Sequence, residues 1–374
     1  MTETKGIVKL GMPKWGLSMT EGTVVQWLVE EGAELRNGDE VVEVESEKIN
    51  NAVETPSAGV LRRRVADEGD VLPVGGLLGV IADASVPDEE IDSFVEEFQA
   101  SFVPEEEEAA GAEPETVDVG GRQVQYLKLG GGDATPLLFL HGFGGDINVW
   151  VFNQEALAAE RPVYAIDLPG HGGSTKDVGD GDLASFVDVV VGFMDEVGIE
   201  KAHVIGHSMG GAIAGSLAIS HPGRVQSLAL IASVGLGEEI NADYIEGFIA
   251  ANRRKEMRSV LGLLFADPDL VNRNLVNAII RFKRLDGVDE ALRKTADELY
   301  PDGKQAEGPD LSGVGAPMLV VWGTEDRIIP TSHSENAPDG ARVEVLDGVG
   351  HMPQMEAAGQ VNRLIGEFLD SQDK

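Results

Sequence analysis

The sequence predicts a multidomain chain: a small all-β domain, then an α/β domain with a mostly parallel sheet flanked by helices. Three observations predict it. Residues 1–84 are rich in Val, Gly and charged residues, in short runs broken by Gly and Pro, which is the composition of strands and tight turns. From residue 117 to 374, apolar strands alternate with helical patterns. Between them PEEEEAAGAEPET (104–116) is acidic, contains proline and lacks large apolar residues, so 85–116 reads as a connecting segment ending in a solvated linker. A length of 374 residues agrees with more than one domain.

Composition narrows the function classes. The net charge of −36 repels nucleic acid and anionic membrane surfaces, so neither is expected as a partner. The acidic excess fits a salt-adapted host or an ordinary acidic cytosolic protein. No apolar run reaches the roughly 18 residues of a membrane span, and MTETKGIVKLGMPKWG lacks the apolar core and cleavage site of a signal peptide. The chain has no cysteine, which excludes disulfides, a cysteine nucleophile and a cysteine metal site. These features together point to the cytoplasm, and no metal is expected.

The first domain repeats itself. Shifted by 37 residues, Gly22 falls on Gly59, Val24 on Leu61, Glu31 on Glu68 and Gly32 on Gly69. Leu35 then falls on Leu72, Gly38 on Gly75 and Val44 on Ile81. Each half reads as a strand, a Glu-Gly turn, and a second apolar strand, with glycines where tight turns need positive φ. Two such halves predict a quasi-symmetric pair of small sheets around one core. The segment VVEVESEKINNAVETPSAG joins them, and it reads as a hairpin with Lys48 at its tip between carboxylates.

Here the sequence resembles biotinyl and lipoyl domains, which carry a cofactor on a lysine at this hairpin. Glu47 and Ile49 stand where biotin carriers have methionines, and MPKWGLSMTEG (12–22) resembles the opening of lipoyl domains. The resemblance implies lipoate amide-linked to Lys48 by a lipoate-attachment enzyme. The long arm would then carry its dithiolane end between sites, at the high effective concentration that tethering gives.

Next comes SVPDEEIDSFVEEFQASFV (85–103), which predicts a helix. Ser85 suits a cap, Pro87 an early position, and Asp88, Glu89 and Glu90 the positive end of the helix dipole. Ile91, Phe94, Val95, Phe98 and Phe102 form one apolar stripe. The stripe packs on one of the chain's own domains or docks another subunit.

In the α/β domain, KAHVIGHSMGGAIAGSLAIS (201–220) reads as strand, sharp turn and helix. It places Ser208 in a G-x-S-x-G elbow, the turn that presents a nucleophile. Upstream, PLLFLHGFGGDINVW (136–150) is a strand followed by a glycine-rich loop. It resembles the oxyanion loop of α/β-hydrolases, in which the backbone N–H groups of Phe143 and Met209 would hold the negative oxygen. PVYAIDLPGHGGS (162–174) supplies Asp167 and His171, which in that family are structural. A serine nucleophile needs a base and an orienting acid, and in this family they follow it as acid, then histidine. PMLVVWGTEDRIIP (317–330) puts Asp326 after a strand, and RVEVLDGVGHMPQMEA (342–357) puts His351 after the next. Glu325 and His333 are rivals for these roles, while Asp347 reads as a turn residue and His207 as a shaper of the pocket.

Residues 236–300 depart from strand–helix alternation and read as a helical cap, which excludes water and shapes an acyl pocket. Within it Arg253, Arg254, Lys255 and Arg258 cluster. They could meet a phosphorylated thiol such as coenzyme A, or form a solvated face balancing local acids.

The whole architecture resembles the acyltransferase (dihydrolipoyllysine-residue acetyltransferase) component of acetoin dehydrogenase complexes. That implies transfer of an acetyl group from dihydrolipoyl-Lys48 to coenzyme A through an acyl-serine, in acetoin catabolism. It also implies thiamine-diphosphate-dependent acetoin dehydrogenase subunits and dihydrolipoamide dehydrogenase as partners. The chain departs from the common 2-oxoacid dehydrogenase acyltransferases: the H-x-x-x-D-G motif and the basic subunit-binding segment are missing. Two other readings stay open: a thioesterase or esterase that releases the acyl group to water, and a lipoyl carrier subunit with a vestigial hydrolase domain.

Overall fold

The computed structural model describes residues 6–15, 19–46, 50–102 and 113–372. The chain divides into two compact units, 1–111 and 112–374, and the division falls inside the acidic 104–116 segment.

Among the described residues the first unit holds eight strands: β1 (Ile7–Gly11), β2 (Glu21–Trp27), β3 (Glu34–Leu35), β4 (Glu40–Glu45), β5 (Asn50–Glu54), β6 (Gly59–Arg64), β7 (Val71–Pro73) and β8 (Leu77–Ala82). They form two four-stranded sheets, ordered β1-β8-β6-β3 and β5-β4-β2-β7. A 37-residue shift carries β2, β3 and β4 onto β6, β7 and β8, so the repeat is visible as a matching strand order. Each sheet combines two long strands of one half with the short strand of the other. The equivalent glycines adopt equivalent backbones: φ is 91° at Gly32 and 93° at Gly69, and 88° at Gly38 and 80° at Gly75. L-residues rarely adopt these values, which is why glycine recurs. Leu10, Val24, Val42, Val44, Leu61, Leu78 and Ile81 fill the shared core.

Helix α1 (Asp88–Ser101) follows. Its N-cap is Pro87, with no side-chain cap; Ser85 instead donates its hydroxyl to Asp83 at 2.6 Å, which corrects the expected cap. The apolar stripe packs on its own unit. Ile91 is buried against Leu77, Val80 and Ala82, with Phe94, Val95 and Phe98 partly buried beside it. Burial of one such side chain contributes roughly 1.5–3 kcal/mol. Arg62 and Arg63 of β6 pin the helix through Asp88 (2.7 Å) and Asp92.

The second unit is an eight-stranded sheet ordered β16-β15-β14-β13-β11-β12-β10-β9. The strands are β9 (Glu115–Val119), β10 (Arg122–Leu129), β11 (Leu137–Leu140), β12 (Val163–Ile166), β13 (Ala202–His207), β14 (Val225–Ile231), β15 (Met318–Gly323) and β16 (Arg342–Leu346). β9 begins two residues inside the expected linker. β11 to β16 run parallel, and β9 and β10 add an antiparallel edge. Helices α2 (Val151–Leu157), α3 (Leu183–Glu196), α4 (Met209–Ser220), α9 (Pro353–Glu356) and α10 (Ala358–Gln372) belong to this sheet domain. β11 lies between β12 and β13, so successive crossovers leave it in opposite directions. The ends of β11 and β13 therefore open a crevice at the switch point, where α/β proteins place their sites.

Between β14 and β15 lie four helices: α5 (Ala242–Ala250), α6 (Arg254–Leu261), α7 (Arg273–Lys283) and α8 (Val288–Leu299). They occupy the stretch expected as a cap. The buried ammonium of Lys283 donates to the carbonyls of Phe248, Ile249 and Ala251 at 2.7–2.8 Å. It thereby closes the carbonyl end of α5, where a positive charge opposes the helix dipole.

Candidate active site

Ser208 sits at the turn from β13 into α4 with φ 52° and ψ −118°, a left-handed backbone that a side chain bears only under strain. The turn is tight enough to demand its glycines. A Cβ on Gly206 would lie 2.3 Å from the Gly210 carbonyl oxygen, and one on Gly210 would lie 2.2 Å from the Leu140 oxygen. The Ser208 N–H donates to Ile231 at 3.0 Å, and its carbonyl accepts from Gly211 and Val234 at 2.9 and 3.1 Å. The strain is thus held by β14 and α4.

Asp326 lies in the loop after β15 and His351 in the loop after β16. His351 Nδ1 is 2.8 Å from Asp326 Oδ2. The other carboxylate oxygen accepts the N–H groups of Ile328 and Ile329 at 2.8 and 2.9 Å. Both side chains are buried, at 2% and 0% exposure. Three donors fix the carboxylate, and a proton on Nδ1 leaves Nε2 as the basic nitrogen of the ring. His207, next to Ser208, donates from Nε2 to the His351 carbonyl at 2.8 Å and ties the two loops together. Burial and the neighbouring His351 hold His207 well below the usual histidine range, so it stays neutral.

The rivals are otherwise engaged. His333 is buried against Trp322 and bonded to Glu239 at 2.8 Å. Glu325 is exposed, and Asp347 is an exposed turn residue that accepts from Thr324 at 3.4 Å.

Phe143 stands in the loop after β11, facing the elbow from the other side of the switch point. Neither its N–H nor that of Met209 has an acceptor among the described residues. Two uncommitted N–H groups flanking a strained serine are the elements of an oxyanion hole. A buried polar frame holds the loop. His171 Nε2 accepts from Gly144 at 3.1 Å, Asp167 from Ile147 at 2.8 Å, and His141 Nε2 from Leu168 at 2.9 Å. Burial lowers His141 to about 4 and His171 to about 3, so both are neutral acceptors. Asp167 is pushed up to about 7 by burial and by the Asp146 charge, while the N–H groups of Gly173 and Ile147 pull the other way.

Glu356, Arg327, Tyr244 and Tyr300 matter here, and sequence reasoning passed over all four. Glu356 is buried and accepts from Gly350 at 3.0 Å, Met352 at 3.3 Å and Ala266 at 2.7 Å. It thus grips both neighbours of His351 and the cap segment 262–266 together. The His351 N–H donates to Leu264 in that segment at 2.8 Å. Arg327, beside Asp326, donates to the carbonyls of Gly262, Phe265 and Ala266. From the cap, Phe248 and Tyr300 set their rings edge-on to Phe143 at 6.0 and 5.9 Å, and the Tyr244 hydroxyl donates to the Phe143 carbonyl at 3.3 Å. Apart from Gly350 and Met352 beside Glu356, the partners of these groups lie some 61 to 157 residues away, so no local spacing could reveal them.

In the first unit, β4 and β5 pair antiparallel up to Glu45 opposite Asn50. The connection between them is residues 46–49. Lys48 falls on it and lies outside the described residues. A closed pair of strands on either side fits a lysine offered for attachment at a hairpin.

Residues 135–358 match the family described as alpha/beta hydrolase fold, and residues 8–81 the one described as biotin-requiring enzyme. A meta-cleavage product hydrolase from Pseudomonas fluorescens superposes with a TM-score of 0.63 at 25% identity, over 69% of this chain and 97% of that one. The fold and site thus define an α/β-hydrolase preceded by a biotinyl/lipoyl-type domain. Two curated relatives extend over nearly the whole length. Both are dihydrolipoyllysine-residue acetyltransferase components of acetoin cleaving systems. The one from Pseudomonas putida is 51% identical over 96% of this chain and 98% of its own length; the one from Cupriavidus necator is 49% identical over 97% of each. The chain belongs to this family of acetyltransferase components.

Proposed function

We propose that the second unit transfers an acetyl group from dihydrolipoyl-lysine to coenzyme A through an acyl-enzyme on Ser208. The lipoyl group, carried on Lys48, supplies the acetyl thioester. His351 Nε2 takes the Ser208 proton as Oγ attacks the thioester carbonyl, while Asp326 holds the ring and stabilises the imidazolium. The N–H groups of Phe143 and Met209 take the negative oxygen. Collapse breaks the C–S bond, and His351 returns the proton to the departing sulfur. The thiol of coenzyme A then gives its proton to His351 and attacks the acyl-serine. The C–O bond breaks and Ser208 recovers its proton.

The observation that carries this reading is the buried Asp326–His351 pair, tied through His207 to the strained Ser208 turn, together with near full-length similarity to acetyltransferase components. The aromatic roof of Phe248, Tyr300 and Tyr244 over Phe143 favours a thiol acceptor over water, because it shields the acyl group. As a component of such a system the chain works with other subunits: a thiamine-diphosphate-dependent one that loads the arm, and dihydrolipoamide dehydrogenase, which reoxidises it. A lipoate-attachment enzyme modifies Lys48, and the setting is the cytoplasm.

The test supplies acetylated lipoyl protein and coenzyme A and quantifies acetyl-CoA against free acetate. Acetyl-CoA is the expected product, and Ser208→Ala lowers its rate by at least about 10⁴-fold. Acetate as the main product, or an undiminished rate in the variant, overturns the proposal.

A further inference from the structure

We infer that the cationic face of α6, made by Arg254, Lys255 and Arg258, receives the phosphates of the acceptor thiol, coenzyme A; this rests on the acyl-transfer reading above. Residues 251–294 hold ten Lys and Arg against six Asp and Glu, a local excess of four positive charges in a chain of −36. A cation is easily paired in so acidic a protein. Arg122, Arg224 and Arg342 of the second unit all hold carboxylates within 2.8–3.1 Å. On the cap the pattern fails. Arg254 and Lys255 on α6, Arg273 and Arg281 on α7, and Arg284 just after α7 are exposed, and none has an ion pair or side-chain hydrogen bond among the described residues. Arg258 reaches only Asp269, at 3.5 Å, and Asp269 is itself exposed.

Leaving five cations unpartnered where acids outnumber bases 65 to 29 points to an anionic ligand. Helices α6 and α7 pack against each other, so the cations of both raise the positive potential of this part of the cap. Arginine and lysine at helical spacing suit phosphate oxygens, which accept several charge-assisted hydrogen bonds at once. Arg254 and Arg258 are one turn apart and Lys255 lies three residues from Arg258, so one face of α6 presents all three.

The position fits a substrate whose phosphates and thiol lie at opposite ends of a long chain. α6 is eight residues, about 12 Å long. It runs directly into the 262–266 segment, where Leu264 accepts the His351 N–H and Ala266 donates to Glu356. Phosphates held on α6 therefore lie one short helix away from the loop of the base that must deprotonate the thiol. Binding energy at the distant end fixes the reacting end, which is how remote groups raise a transfer rate.

Steady-state kinetics on the lipoylated full chain test the inference, with coenzyme A and the phosphate-free thiol pantetheine as alternative acceptors. Arg254→Ala combined with Lys255→Ala raises KM for coenzyme A by about tenfold or more and leaves KM for pantetheine where it was. Asp269→Asn, which frees Arg258, lowers KM for coenzyme A, a direction that damaged folding cannot produce. Equal shifts for both thiols, or none, overturn the site. So does a shift confined to KM for the acetylated donor, which would assign the surface to the acidic hairpin of the first unit. Acetate in place of acetyl-CoA from the lipoylated chain without substitutions sinks the transfer reading itself, a separate result.

Discussion

The two units of this chain solve opposite problems, and their sequences differ accordingly. The first carries its chemistry on an attached group, so its side chains build only a mount: paired strands, a shared core and repeated turns. The second performs chemistry with its own side chains and encloses a serine, histidines and carboxylates in its interior. All seven histidines of the chain lie in the second unit and none in the first. A mount needs geometry; a catalytic cage needs ionisable groups whose protonation the interior controls.

The sharpest way to break this contrast is Asp326→Asn. The amide cannot favour the Nδ1–H tautomer of His351, and acyl transfer is expected to fall by about 10⁴-fold. Lipoylation of the chain, read by intact mass, stays complete, because the first unit has no part in that pair. A loss below tenfold removes Asp326 from the site.

The second way is acid. His141, His171 and His207 are held below the usual 6.5 by burial, so between pH 6.5 and 5 the unfolded second unit binds three protons that the folded one refuses. Stability of the second unit therefore falls as pH falls. Asp167 and Glu356, raised by burial, work the other way, two groups against three. Each proton that the folded unit refuses costs up to roughly 2 kcal/mol by pH 5. In the first unit Glu40 is raised by burial and by Glu54 opposite, so acid relieves a repulsion there. Calorimetry from pH 7 to 5 should show the second unit's transition moving down while the first unit's does not. Parallel movement of both would contradict the contrast.

The smallest effect sharpens the repeat. Gly32 and Gly69 have φ near 90° and open space where a Cβ would go, so replacement by Ala costs backbone strain alone, about 1 kcal/mol each. Denaturation of the first unit should show two similar losses, with the unfolding transition of the second unit unaltered. Unequal losses would mean that the 37-residue correspondence is not physical.

What could be read in advance followed the same divide. The repeat was legible because positive-φ glycines leave a residue-level mark that no other residue can supply. Ser208 and Asp326 were legible as candidates because each follows a plain apolar run, and His351 because it follows the alternating strand RVEVL. Glu356, Arg327 and Lys283 were not. Each binds backbone groups across 32 to 90 residues of sequence, and a backbone partner leaves no side-chain pattern. The cap of α1 was misread because Ser85 has a closer competitor in Asp83, two residues away.

The short strands β3 and β7 are traded between the halves of the first unit, and that exchange interlocks them. Neither 37-residue half can complete its sheet alone, so a cut in the connecting hairpin or a truncation at residue 58 would free two incomplete fragments rather than one surviving half. Whatever is fastened at the hairpin is kept or lost with the unit entire. For a domain that holds an attached group, all-or-none cohesion is a safeguard against half-unravelled mounts.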